Sequence, residues 1–144
     1  MTTATNKPSA AFWIISVLAL IWNLMGVMAY ITTVTMTPEA LQALPAEQQQ
    51  LYTDVPKWAT AAFAIAVWGS TLGSILLLLR KKFAKPVFAV ALAGILVQMT
   101  HSLVISKSYE ATGPGGVAMS VMIIVVGGFL VWYSRYATEK GWLT

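Results

Sequence analysis

The sequence predicts an all-α integral membrane protein, a bundle of four transmembrane helices with a short amphipathic helix in the outer loop between the first two. Three observations lead there. Hydrophobic residues fill 58% of the 144 positions and charged residues only 10%, with a mean hydropathy of +0.72, whereas soluble domains run near a quarter charged. The stretches 8–38, 58–79, 86–106 and 111–134 contain no Asp, Glu, Lys or Arg. Each is long enough for the roughly 20 helical residues that cross a hydrocarbon core of about 30 Å. Finally, Pro8, Pro56, Pro86 and Pro114 each stand at or just before the start of such a stretch, where a missing N–H costs little because it has no helical partner anyway.

The elements follow in order. Span one covers about 9–35. Its apolar run from Ser9 to Tyr30 is longer than the roughly 7–15 residues of a signal-peptide core, so it reads as a retained helix. In the segment of about 38–52, Thr37 and Pro38 look like a cap and first turn. Leu41, Leu44, Leu51 and Val55, with Gln48 between, recur at three or four residues, which is one face of a short helix, or of two pieces with Pro45 opening the second. A lid over its own bundle is the favoured reading, and a helix lying on the outer membrane surface the alternative. Spans two, three and four cover about 57–79, 86–106 and 115–136. With no proline in their interiors, all four helices are expected to be continuous. The connection "KSYEATGPGG" reads as turn chemistry, and its glycines lack any surrounding nucleotide-binding pattern. The whole chain, 1–144, forms a single transmembrane domain.

Charge sets the expected orientation. The loop "RKKFAKP" holds Arg80, Lys81, Lys82 and Lys85, and short loops rich in Lys and Arg stay on the cytoplasmic side. Both termini then lie inside, in a bacterial inner membrane. The inner set is Lys7, that loop, Arg135 and Lys140 against Glu139; the outer set is Lys57 and Lys107 against Glu39, Glu47, Asp54 and Glu110. The net charge of +4 thus reads as a topology signal, with a lipid-headgroup or nucleic-acid patch the weaker reading. Phe12, Trp13, Tyr30, Trp58, Trp132, Tyr133 and Tyr136 fall at span ends as an aromatic belt does, while Trp22 and Trp68 fall near mid-span.

Few residues carry chemistry. The chain has no cysteine and one histidine. His101 alone, with no membrane carboxylate beside it, does not complete a zinc shell, and methionines at helical spacing read as packing. No metal, cofactor or enzymatic activity is expected. Polar groups in hydrocarbon usually face the bundle interior. At 1.5 Å per residue, Asn23 and Gln98 stand about 20 and 18 Å above the inner surface and His101 about 22 Å, while Trp68 lies about 16 Å below the outer one. Asn23, Gln98, His101, Trp22 and Trp68 therefore form a candidate layer, either a pocket for a sugar-like neutral solute or a quinone, or interhelical glue. In "WGSTLGS", Gly69 and Gly73 make a G-x-x-x-G and Ser70 and Ser74 repeat it one residue on, a pattern that lets helices approach closely, within one bundle or between subunits. Gly127-Gly128 is a second such point.

Several stretches, "LIWNLMGVMAY", the run from "LPAEQQQLYTDVPKW" through "VWGSTLGSILLLLRKK", "GILVQM" and the closing "GWL", resemble a family of small bacterial four-span membrane proteins, some of them labelled "sugar transporter". Asn23, Trp58, Gly69, Gly73 and Gln98 match its pattern; His101 stands where an aromatic is expected. The resemblance implies the same four-span fold and a sugar-like solute. Two functional readings follow: a non-enzymatic helix-packing module that self-associates or joins a larger membrane complex, and an oligomeric carrier or binder of a small neutral solute or quinone.

Overall fold

The structure, a computed structural model, describes residues 7–53, 55–105 and 109–144. Asp54, Ser106, Lys107 and the Leu51 side chain lie outside the described residues. The elements are α1 (Ala10–Val34), α2 (Pro38–Gln42), α3 (Ala46–Thr53), α4 (Lys57–Leu78), α5 (Ala84–Thr100), a π-helical continuation His101–Ile105, and α6 (Tyr109–Glu139). Four of these helices, with α5 and its continuation taken as one, are long and apolar enough to cross a membrane. The protein is an all-α, multi-pass membrane bundle.

Local chemistry explains the boundaries. The Ser9 hydroxyl accepts from the Phe12 N–H at 3.2 Å, and the Thr37 hydroxyl from Ala40 N–H at 3.1 Å, satisfying first-turn donors that lack helical partners. Pro45 separates α2 from α3, so the outer segment is two short helices. Leu41, Leu44 and Gln48 are each partly buried in it.

The four spans run unbroken, as proline placement leads one to expect, and the departures from regular α-geometry fall at the ends of two helices. Span three finishes in a π-helical turn from His101 to Ile105. Residues 109–112, expected as a turn, are helical, and the break falls at Gly113 (φ 72°, ψ −163°). Gly113 precedes Pro114, whose ring disfavours the helical conformation in the residue before it, and glycine reaches positive φ without cost.

The long helices pack in the order α1, α4, α5, α6. In their most apolar windows, 39% of α4 and 33% of the third span are buried against 22% of α1 and 17% of α6, so α4 and α5 form the central pair. Glycines seat it. A Cβ at Gly69 would stand 3.1 Å from Ala91 Cβ, and one at Gly73 2.8 Å from the Phe88 ring. The G-x-x-x-G face is therefore filled inside the bundle, by α5. Gly94 makes the closest backbone approach: its Cβ would meet Ala62 O at 3.0 Å and Ala66 N at 3.1 Å.

At the basic end, the start of α1, the end of α4, the start of α5 and the end of α6 meet around Phe12, Leu77, Ala84, Leu130 and Tyr133. Phe12 and Tyr133 were expected in an interfacial belt, but they are 0% and 5% exposed. Their rings stack against each other instead, with centroids 6.2 Å apart. Both helices that end here close with the same cap. Lys81 N–H donates to Leu76 O and Arg80 N–H to Leu77 O; Trp142 N–H donates to Ala137 O and Gly141 N–H to Thr138 O. This cap requires a left-handed residue, supplied by Gly141 (φ 78°) and by Arg80 (φ 57°), where a side chain makes it costly. Arg80 is held there from both sides, because its Nε donates to Trp142 O at 2.8 Å and its carbonyl accepts from Thr144 N–H at 2.8 Å. Leu143 between them is buried.

Gly94→Val should lower stability in detergent by about 1–3 kcal/mol, the usual cost of overpacking, seen as a lower thermal midpoint. Gly128→Ala, where an added Cβ meets nothing within 4 Å, should leave the midpoint unchanged.

Candidate functional site

The polar centre of the bundle is the contact of α1 with α4. The buried stripe of α1, Phe12, Ser16, Ala19, Asn23 and Val27, recurs every three or four residues and faces α4. From it the Asn23 side chain donates through Nδ2 to Ser74 Oγ at 2.7 Å and to Ser70 O at 3.1 Å. Ser74 Oγ in turn donates to Ser70 O at 3.0 Å. The two small ridges of "WGSTLGS" thus serve different neighbours: the glycines seat α5, and the serines one residue on bind α1.

Beside this contact lies a cavity of about 360 Å³, within the range of roughly 300–1,000 Å³ that holds small molecules. Its floor is α4 and α5, through Ala66, Ser70, Ile95 and Met99, and its walls are α1 and α6. Gly26 and Gly127 let the two walls close onto the floor: a Cβ at Gly26 would stand 3.3 Å from Val67 and one at Gly127 2.9 Å from Ile95. The rim residues Met25 of α1 and Met119 of α6 are 62% and 51% exposed, so the cavity is a groove open to the side. It closes towards the basic end, where Leu130 on its wall joins the Phe12–Tyr133 cluster.

The sequence-predicted residues divide. Trp22, Asn23 and Gln98 stand on the groove wall, with Ser70. Gln98 is half-buried, and its amide makes no hydrogen bond among the described residues. His101 is buried in the π-helical turn, off the wall, with its ring edge-on to Trp58 at 5.4 Å. Trp68 is 48% exposed on the outside of α4, edge-on to Tyr30 at 6.3 Å. Gly69 and Gly73 belong to the α4–α5 contact, and Ser70 and Ser74 to the α1–α4 contact. Gly94, Gly26 and the Arg80–Trp142 clasp escaped the sequence reading. Gly94 has no small partner at the usual spacing, and the clasp joins residues some sixty positions apart.

No family model, curated protein or solved structure matches this chain. The site is therefore read from its own geometry. Apart from two amides and one serine, the groove wall is aliphatic, aromatic or thioether. Of its two amides, Asn23 is anchored by hydrogen bonds and Gln98 is not.

Asn23→Ala should cost about 1 kcal/mol of bundle stability, the scale of a hydrogen bond between membrane helices, measured by unfolding in detergent. Gln98→Leu removes no intramolecular bond and should leave that stability within error.

Proposed function

We propose that this protein binds, from within the bilayer, a slender lipophilic molecule bearing one small neutral polar group. The tail would lie along the α1–α6 groove with the polar group at Asn23 and Gln98. The observation that carries this reading is the side-opening groove itself, apolar along its length and polar at one height. A sugar fits it poorly, since each hydroxyl buried without a partner costs on the order of 1–3 kcal/mol and the wall offers only two amides, a serine and one indole N–H. Of the occupants considered from the sequence, a quinone-like lipid is the better match. Self-association loses its main support, because α5 already covers Gly69 and Gly73. A partner helix seated in the groove is the competing occupant.

We further place the basic end, with both termini, on the cytoplasmic side of a bacterial inner membrane by its excess of Lys and Arg, and we assign the protein no enzymatic role.

Protein purified from native membranes should retain a lipophile detectable by mass spectrometry of an organic extract. Ala29→Trp, which fills the groove from an exposed wall position, should abolish its retention without changing yield. Recovery of a stoichiometric second polypeptide, with no lipophile, would support the partner-helix occupant instead. The chain has no native cysteine, so orientation is directly testable: a single cysteine at Lys82 should resist a membrane-impermeant thiol reagent in intact cells and react after permeabilisation.

A further inference from the structure

The direction of the Asn23 amide narrows the ligand. Ser70 O carries only lone pairs, so the atom 3.1 Å from it on Asn23 must be the N–H donor. The Ser74 hydroxyl has given its one proton to Ser70 O and therefore receives the other Nδ2 proton. Turning the amide over would set Oδ1 against the Ser70 carbonyl oxygen, two acceptors facing each other. Both donors of Asn23 are thus committed to α4, and the amide is fixed. Its remaining atom, Oδ1, makes no hydrogen bond among the described residues, although the residue is only 7% exposed and stands on the groove wall.

A fixed, unpaired acceptor on an apolar wall selects a donor. Gln98 does not select, since its unanchored amide rotates to offer either N–H or oxygen. We infer that the groove recognises a lipophilic hydroxyl compound, an isoprenoid-type alcohol or a hydroquinone, whose O–H donates to Asn23 Oδ1. An acceptor-only counterpart, an ether or the oxidised quinone, can be met by donors elsewhere on the wall, Gln98, the Trp22 indole N–H or the Ser70 hydroxyl, but it leaves Oδ1 without a donor. This inference rests on the groove reading above and adds the polarity of the head group to it.

The test compares farnesol with farnesyl methyl ether, which share a tail and differ in one O–H, by equilibrium binding to the full chain in nanodiscs. Farnesol should bind about tenfold more tightly, the scale of one buried acceptor left unpaired. The preference should persist in Gln98→Leu, which leaves the Asn23 bonds to α4 untouched. In Asn23→Leu, where that variant folds, the two affinities should converge. Equal affinities in the wild type would overturn the inference and leave the groove reading standing. Loss of the preference in Gln98→Leu would also overturn it, by making Gln98 the discriminating group. Binding of neither compound would overturn the groove reading and the inference together.

Discussion

Inside a bilayer, apolar side chains gain little by leaving lipid for one another, so helices must be held by close packing and by polar groups that find partners. Here both devices lie on one turn and a half of α4. Gly69 and Gly73 let α5 approach until the ring of Phe88 and the Cβ of Ala91 fill the space. Ser70 and Ser74, rotated about 100° from them at 3.6 residues per turn, present a carbonyl and a hydroxyl to Asn23. α4 is thereby central, and α1 and α5 take fixed positions on either side of it. Gly94 completes the contact from the α5 side, where a methyl group would meet backbone atoms.

The groove is a consequence of that centrality. α1 is tied to α4 and α6 to α5, while α1 and α6 meet at the basic end through Phe12 and Tyr133. Above that point the two helices stand apart across the groove, whose rim carries Met25 and the small Ala29 on α1 and Met119 on α6. The basic end must then be firm for the groove to keep its width. The two left-handed caps at Arg80 and Gly141, joined through the Trp142 and Thr144 bonds, brace it. A strained non-glycine residue at Arg80 is tolerable because neighbours from both directions hold it.

Much of this was legible in the sequence, and the limits have physical causes. Long charge-free runs and prolines at their starts marked the four membrane-crossing helices, because a bilayer imposes length and composition directly. The small-residue ridges of α4 were visible as a spacing, but their assignment to α5 and α1 was not, since spacing carries no information about neighbours. Depth arithmetic placed Asn23, Gln98, His101, Trp22 and Trp68 at similar heights. It fixed no azimuth, so Trp68, on the outside of α4, was indistinguishable from Trp22 on the groove wall. His101 lies three residues beyond Gln98, about 60° away in an α-helix, and in a π-helical turn that nothing nearby in the sequence announces. It reaches Trp58 instead.

The same contrast separates the two amides. An asparagine and a glutamine look alike in sequence: each offers two donors and one acceptor, and each is costly in hydrocarbon. Their meaning diverges only when partners are known. Asn23 spends both donors on α4, which makes it a structural bond with a lone acceptor on its far side. Gln98 spends nothing and can match any neutral head group. The sequence sets interhelical glue and ligand pocket against each other; the bonds to α4 make Asn23 glue, and the proposed pocket would use the side of the same residue that those bonds leave over. The hydrogen bonds that hold α1 to α4 are what hold the Asn23 oxygen in one orientation, and it is this fixed orientation on which the proposed selectivity for a donor depends.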